Sequence, residues 1–211
     1  MSVAVAQSRP VVRPSVEVRI WPKFEERVTG KDMPFSVEEL AIIEQLVTED
    51  DKSVDNLASS KQQRLLVESL YSSWKGPGGP PFLADTNIGV FHTLKAPPLV
   101  PDMFLSLGVR VAQDWWQKRH RSYFLREFGK PPEVVIEIVS NREGEEDGSK
   151  LLDYAQMGIR YYVIFDPVEE LGQGVLRLYE LHQGNYVAMK QRWLPAVTWR
   201  PAWRLPPSRC R

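Results

Sequence analysis

The stretch PPEVVIEIVSNREGEEDGSKLLDY, residues 131–154, decides the fold. Its residues 134–139 form an almost continuous aliphatic run, which is typical of a strand covered on both faces in an α/β sheet. Glu137 is the one charged residue in that run. Because burying an ionised carboxylate without a partner is costly, we expect Glu137 to be paired, neutral or bound to a metal ion.

The segments that follow this strand predict a crossover unit. GSKLLDYAQMG, residues 148–158, is typical of a helix with Gly158 as its C-cap residue. IRYYVIFDP, residues 159–167, predicts the next strand, which Asp166-Pro167 ends. A strand, a helix and a second strand in this order predict a right-handed connection between parallel neighbours within a mixed sheet.

Upstream of this unit the sequence predicts two helices and two strands. The first helix begins after Ser36, a good N-cap residue with Glu39 at the capping-box spacing. The second covers residues 59–74, with its apolar stripe at Leu65, Leu66, Leu70 and Trp74. The two upstream strands are predicted over 82–92 and 101–109. Downstream of the unit, residues 175–181 and 186–190 predict a closing hairpin.

Length and composition indicate one good-sized domain. The chain has 211 residues, of which 43% are hydrophobic and 26% charged. No apolar stretch reaches the roughly 18 residues of a membrane span, and the N-terminus lacks the order of a secretory signal. Cys210 is the single cysteine, so no internal disulfide forms, as suits a reducing cytosol. We therefore expect a cytoplasmic protein without membrane contact.

The net charge is zero, but the charges are segregated along the chain. Residues 110–130 hold six basic residues and two acidic ones, and residues 190–211 hold six basic residues and no acidic one. Nucleic-acid binding would therefore depend on local patches. The segment WWQKRHRSYFLREF, residues 115–128, has two interpretations: its aromatic residues stack on bases beside a bound backbone, or they pack Trp115, Trp116, Tyr123 and Phe124 into the core.

Two carboxylates and a lysine form a candidate catalytic set. Asp102 opens the predicted strand 101–109, Glu137 lies within the strand 134–139, and Lys150 follows at the start of the next helix. If the two strands are neighbours, the acids converge at one point. Hard oxygen ligands hold a divalent cation that lowers the pKa of bound water, and a lysine can stabilise phosphate oxygens. This pattern favours a magnesium-dependent phosphodiesterase.

Residues 80–182 resemble the Uma-type putative restriction endonuclease family of the PD-(D/E)XK nuclease superfamily. The resemblance rests on VVIEIVS...D..K...Y...G...Y...DP and on PPLVPDMFLSLGV upstream. It implies an α/β, restriction-endonuclease-like fold with a mixed central β-sheet flanked by helices, in the core order α-β-β-β-α-β. It also implies an endonuclease that uses Mg²⁺ or Mn²⁺ and acts on nucleic acid, with DNA as the expected substrate.

By this resemblance Asp102 and Glu137 are the metal ligands, and Lys150 is the catalytic lysine. The superfamily's lysine usually lies two residues after the second acid, where this chain has Val139. Asp147 and Tyr154 match supporting positions of the motif. Many such nucleases add an acid from an N-terminal helix, and here that helix offers Glu68, with Gln62 and Gln63 one to two turns earlier.

Several alternatives stay open at this level. Asp102 can simply belong to a turn, and Glu137 can form a structural salt bridge with Lys150. The chain can also be a catalytically inactive nuclease-fold protein that binds nucleic acid or a partner. A homodimer is compatible with the sequence. We predict an extended or partly disordered segment over residues 1–30, the nuclease-like domain over 31–190, and a basic Trp/Pro-rich tail over 191–211.

Overall fold

A computed structural model describes residues 34–46, 57–76, 81–140, 148–195 and 197. The predicted segment 1–30, most of the predicted tail 191–211, and Asp147 lie outside the described residues. The helices are α1 Val37–Gln45, α2 Leu57–Ser73, α3 Leu125–Phe128 and α4 Ser149–Met157, with a 3-10 turn at Lys118–His120. The strands are β1 Phe82–Asp85, β2 Val90–Phe91, β3 Met103–Leu107, β4 Tyr123–Phe124, β5 Val134–Ile138, β6 Tyr161–Phe165, β7 Leu176–His182 and β8 Asn185–Ala188.

Six strands form one mixed sheet in the order β1-β3-β5-β6-β7-β8. The pair β5–β6 is parallel, and α4 makes the crossover between them, as the sequence predicts. The other four pairs in this sheet are antiparallel. The elements α2, β1, β3, β5, α4 and β6 follow the predicted α-β-β-β-α-β order, so the predicted fold class is confirmed.

Helices cover both faces of this sheet, and β5 lies at its centre. All five residues of β5 are buried, as its apolar run predicts. Val134, Ile136 and Ile138 belong to the apolar cluster that includes Leu66 and Leu70 of α2. The alternate residues Val135 and Val139 belong to a second cluster with α4 residues. Since side chains alternate along a strand, Glu137 faces the α4 side.

The two upstream helices form where the sequence predicts them, with one correction. Ser36 and Glu39 make the full capping box, because the Ser36 amide donates to Glu39 Oε2 and the Glu39 amide donates to Ser36 Oγ. In α2 the expected stripe was wrong at Leu65, which is 52% exposed. The buried stripe runs at spacings of three and four residues: Ser59, Gln63, Leu66 and Leu70.

The strand predicted over 82–92 is in fact two strands. Between β1 and β2, Asn87 adopts a positive φ of 54°, in the left-handed region that asparagine tolerates better than most residues. The chain therefore leaves the main sheet after Asp85, and β2 pairs instead with β4 in a separate parallel ribbon. This change of direction places Asn87 beside the start of β3, where its backbone amide donates to the carbonyl oxygen of Pro101.

The edge strand β1 is held by a side chain of α2. The hydroxyl of Tyr71 donates to the carbonyl oxygen of Ala84 at 3.2 Å and accepts from the Ala84 amide at 3.1 Å. The Tyr71 ring also stacks on Phe82 with centroids 4.9 Å apart. Both backbone groups of Ala84 are thereby satisfied on the side of β1 that faces away from β3.

The aromatic segment 115–128 divides between the core and the surface. Tyr123 and Phe124 are about 1% exposed, so the core-packing interpretation holds for these two residues. Trp115 and Trp116 are 61% and 83% exposed, so that interpretation is wrong for them. Further along the chain, Leu194 and Val197 are fully buried in the cluster on the α2 side of the sheet.

None of the helices in the described ranges combines the length and the apolar character needed to cross a membrane.

Candidate functional site

Asp102 and Glu137 lie close together at one end of the neighbouring strands β3 and β5. The antiparallel register pairs Met103 with Ile136, and Asp102 directly precedes Met103 while Glu137 directly follows Ile136. Beyond the effect of burial, the charge of Asp102 raises the pKa of Glu137, so the two carboxylates are within electrostatic reach of each other. This register brings together two carboxylates that are 35 positions apart in the chain.

Asp102 is fixed by hydrogen bonds to both of its carboxylate oxygens. The backbone amide of Ile138 donates to Oδ2 at 2.6 Å. The Nε2 group of Gln63, from α2, donates to Oδ1 at 2.8 Å. Asp102 therefore connects the end of β5 to helix α2. Its role is larger than that of an ordinary turn residue, which is all that the Pro-Asp dipeptide alone would suggest.

Glu137 is almost fully buried, with 1% of its surface exposed. The hydroxyl of Tyr154 donates to Oε1 at 2.6 Å, and Nζ of Lys150 donates to Oε2 at 3.0 Å. Burial raises the pKa of Glu137 to about 7, although Lys150 opposes this rise and Asp102 adds to it. The partner that the apolar strand requires is thus supplied by α4, and Glu137 ionises near neutral pH.

The spacing along α4 explains why two of its side chains reach the same carboxylate. Lys150 and Tyr154 are four residues apart and therefore lie on one face of the helix. Tyr154 is 1% exposed, and burial and the neighbouring Glu137 raise its pKa well above the ordinary value, so it remains a proton donor. The Lys150 side chain is 33% exposed. Lys150 therefore connects the buried carboxylate to the solvent-facing side of the site.

The structure brings four of the six residues singled out from the sequence into this site. Asp102, Glu137, Lys150 and Tyr154 form one connected group. Glu68 is exposed and lies five residues beyond Gln63, roughly 140° around α2. Among the described residues, Gln63 is therefore the α2 side chain that bonds Asp102, and Asp147 lies outside the described ranges.

A pair of amides completes the site, and only its helical member was noted from the sequence. Gln63 is 3% exposed, and its Oε1 accepts a hydrogen bond from Nδ2 of Asn87 at 3.1 Å. Asn87 is the residue in the left-handed region that separates β1 from β2. Uncharged amide side chains give no charge pattern that would mark a site in the sequence. The one signal that could have pointed to this pair was that Gln63 lies on the same helical stripe as the apolar Leu66 and Leu70.

The donor set for a cation consists of the two carboxylates. Within the described ranges, His, Cys, Asp and Glu side chains form no group of three or more that could hold a metal ion. Mg²⁺ usually keeps several waters and binds proteins through one or two carboxylates. Each carboxylate oxygen accepts about two bonds, and each oxygen of Glu137 accepts one hydrogen bond from the described side chains. The chemistry of the pair therefore suits Mg²⁺ with water as its remaining ligands.

A groove of about 340 Å³ lies elsewhere in the fold. Phe35, Phe91 and Phe124 belong to its apolar lining, and Glu39 and Arg126, which also line it, form an ion pair. None of the residues that line it belongs to the carboxylate site. Among the described residues, this groove and the titratable cluster around Glu137 are thus separate features.

Comparison with known proteins identifies a family. No curated protein matches the chain. The family model Uma2, described as a putative restriction endonuclease, matches residues 52–198. That match covers well over half of the chain and contains Gln63, Asp102, Glu137, Lys150 and Tyr154. It indicates a nuclease, as the resemblance seen in the sequence implies. The chain belongs to the Uma2 family of putative restriction endonucleases.

Proposed function

We propose that this chain is a metal-dependent endonuclease that hydrolyses DNA phosphodiester bonds at the Asp102–Glu137 site. The observation that carries the proposal is the convergence of these two carboxylates at the same end of neighbouring strands, with Lys150 bonded to Glu137. Two neighbouring carboxylates disfavour each other's ionised form unless positive charge lies beside them. Lys150 offsets one of the two negative charges, and a divalent ion would offset the remainder.

The residues present fit such an ion. The buried Glu137 has a pKa raised to about 7 because burial disfavours its charged form. A cation beside the two carboxylates would favour that form again. Asp102 and Glu137 would hold Mg²⁺ or Mn²⁺. When bound, the ion lowers the pKa of a coordinated water and offsets charge on the phosphate.

The protein's own side chains would position the reacting groups. Lys150 is partly exposed, so its ammonium group can reach both Glu137 and a phosphate that approaches from solvent. There it would stabilise charge that develops on the phosphate oxygens. The Tyr154 hydroxyl and the Ile138 amide hold the carboxylates in fixed orientations. Such orientation of metal ligands by their hydrogen-bond partners is a general requirement of metal sites.

The proposal extends to the partner, the assembly and the location. DNA is proposed as the nucleic acid because of the restriction-endonuclease description of the family. A homodimer would allow both strands of a duplex to be cut. A cytoplasmic location agrees with the single cysteine of the chain.

One observation favours a second candidate, a nuclease fold that binds nucleic acid without hydrolysing it. Each Glu137 oxygen already accepts a hydrogen bond, and Lys150 forms an ion pair with this residue. These contacts can hold α4 against the sheet with no metal present. In that case the same residues would be a structural network, and metal would have no effect on the protein.

Plasmid nicking tests the proposal. Purified protein is incubated with supercoiled DNA and Mg²⁺ or Mn²⁺, beside the variants Asp102→Asn and Lys150→Ala. We expect Lys150→Ala to lower the rate about 100-fold, as the loss of a charge-stabilising donor does elsewhere, and Asp102→Asn to lower it at least as much. Asp153→Asn and Lys61→Ala are matched controls. Both residues are exposed, Asp153 on α4, the helix that carries Lys150, and Lys61 on α2, the helix that contacts Asp102. Equal activity of all five proteins would remove the site from catalysis.

A further inference from the structure

The adjacent tryptophans Trp115 and Trp116 are exposed on the connection between β3 and β4. They are 61% and 83% exposed, respectively. A tryptophan side chain can bury roughly 150–250 Å² of surface against a partner, and its ring stacks well on other planar groups. Two neighbouring rings that remain in water are therefore typical of a binding surface rather than of a folding element.

The tryptophans belong to a segment that is rich in basic residues. The connection 108–122 carries Arg110, Lys118, Arg119 and Arg121, but Asp114 is its only acidic residue. Asp114 Oδ2 accepts a hydrogen bond from Gln117 at 2.6 Å. Because the whole chain has no net charge, this excess of cations is a local property of the connection.

Hydrogen bonds order the connection around the two rings. Gln117 bonds Asp114 through its Nε2 group, and its Oε1 accepts from Nε of Arg119 at 3.0 Å. Nζ of Lys118 donates to the carbonyl oxygen of Glu44 at 2.7 Å, which ties the connection to the last turn of α1. The rings are thus presented on a segment that is already attached to the domain, which lowers the entropy cost of binding.

We propose that Trp115 and Trp116 form a stacking surface for the unpaired bases of a nucleic acid whose phosphates contact the surrounding arginines. This inference rests on the proposed nuclease function and adds the surface that engages the strand. Stacking is available to any base, and basic side chains attract the backbone without reading sequence. The surface therefore favours single-stranded nucleic acid, or unpaired bases near the cut, over a continuous duplex.

Charge argues against a second copy of the chain as the occupant. In a two-fold contact the same patch lies on both sides, so the basic connection would face a second basic connection. Like charges across an interface cost binding free energy, and the centres of protein interfaces are depleted in charge. A polyanion removes this conflict.

The test measures binding without hydrolysis. Labelled oligo-dT of about 20 nucleotides, longer than the sites of roughly 4–16 nucleotides that single folds cover, is titrated with the full chain in EDTA. We expect the double variant W115A/W116A to raise the dissociation constant at least tenfold. W115F/W116F keeps flat rings and should stay within about threefold of wild type. Trp193→Ala is the control, because Trp193 is 46% exposed and lies outside the connection.

Unchanged affinity of W115A/W116A for oligo-dT would overturn the stacking surface. If the sedimentation mass of that variant also changes, the rings would be assigned to contact between copies. Plasmid nicking by the wild type separates this inference from the proposed function. If W115A/W116A weakens oligo-dT binding but the wild type does not nick the plasmid, the proposed hydrolysis alone is overturned. If the wild type nicks the plasmid but W115A/W116A binds oligo-dT as well as the wild type does, the stacking surface alone is overturned.

Discussion

The hydroxyl of Tyr154 lies 2.6 Å from Oε1 of Glu137, and it donates to a carboxylate that is 1% exposed. This bond, one turn of α4 beyond Lys150, ties the centre of the sheet to the helix that covers it. It also favours the ionised form of Glu137 against the effect of burial. The fold and the candidate chemistry therefore depend on the same contact.

Replacing Tyr154 with phenylalanine should destabilise the protein in a pH-dependent way. The variant loses a hydrogen bond to a carboxylate, about 1.5–3 kcal/mol when that carboxylate is ionised. We expect a larger loss of unfolding free energy at pH 8 than at pH 5, measured by urea denaturation. Tyr186→Phe is the control, since Tyr186 donates to the neutral carbonyl of Ile159 at 2.7 Å. A loss that is the same at both pH values in Tyr154→Phe would contradict the role of an ionised Glu137.

The raised pKa of Glu137 predicts that metal-free protein loses stability as the pH rises. Its pKa is about 7 in the folded protein and 4.5 as the ordinary value. The folded protein therefore binds the Glu137 proton more tightly than the unfolded chain does. The stabilisation that this proton gives to the folded state is complete below pH 4.5 and is lost as the pH rises through 7. It amounts to about 3 kcal/mol. Urea denaturation in EDTA should show this decline in wild type relative to Glu137→Gln; parallel curves for the two proteins would refute it.

Gln63→Leu tests whether the buried amide positions Asp102. The substitution removes the donor to Oδ1 and the acceptor of Asn87 with little change in volume. We expect a loss of about 1–3 kcal/mol in unfolding free energy, and about tenfold slower plasmid nicking if Asp102 holds the metal. Gln62→Leu on the same helix should change neither. Normal nicking by a destabilised Gln63→Leu protein would make Gln63 structural only.

A divalent cation should stabilise the folded protein through the two carboxylates. At 100 times the dissociation constant the gain is about 2.7 kcal/mol, seen as a higher thermal midpoint with Mg²⁺ or Mn²⁺. Asp102→Asn and Glu137→Gln should abolish the shift. Glu68→Gln should retain it, because Glu68 is exposed on another face of α2 than Gln63. A shift lost in Glu68→Gln would bring this residue back as a metal ligand. No shift in wild type would favour the second candidate, a nuclease fold that binds nucleic acid without hydrolysing it.

The sequence predicted the centre of the fold well because its signals there are strong and local. The aliphatic run around Glu137, the helix up to Gly158 and the next strand each have a distinct periodicity and a clear end. The closeness of Asp102 to Glu137 followed once the strands were assumed to be neighbours, because pairing Met103 with Ile136 brings both acids to the same end of the two strands. The roles of these residues in hydrolysis are still predictions.

Other features could not be read from local patterns. The split between β1 and β2 depends on one asparagine with a positive φ, which any loop or strand end could contain. Leu65 was wrongly included in the apolar stripe with Leu66 and Leu70, because two adjacent leucines make the edge of a helix stripe ambiguous. Trp115 and Tyr123 belong to one aromatic segment, and only tertiary packing decides that the first is exposed and the second buried.

The double hydrogen bond of Tyr71 to Ala84 has a consequence for self-association. An outer strand with unsatisfied backbone groups is a template on which further strands can assemble, and such growth leads to aggregates. Here a phenol from α2 occupies the donor and the acceptor of the residue at the middle of β1. Strand-by-strand extension of the sheet at this border is therefore blocked, and Tyr71→Phe should make the protein more prone to form fibrils.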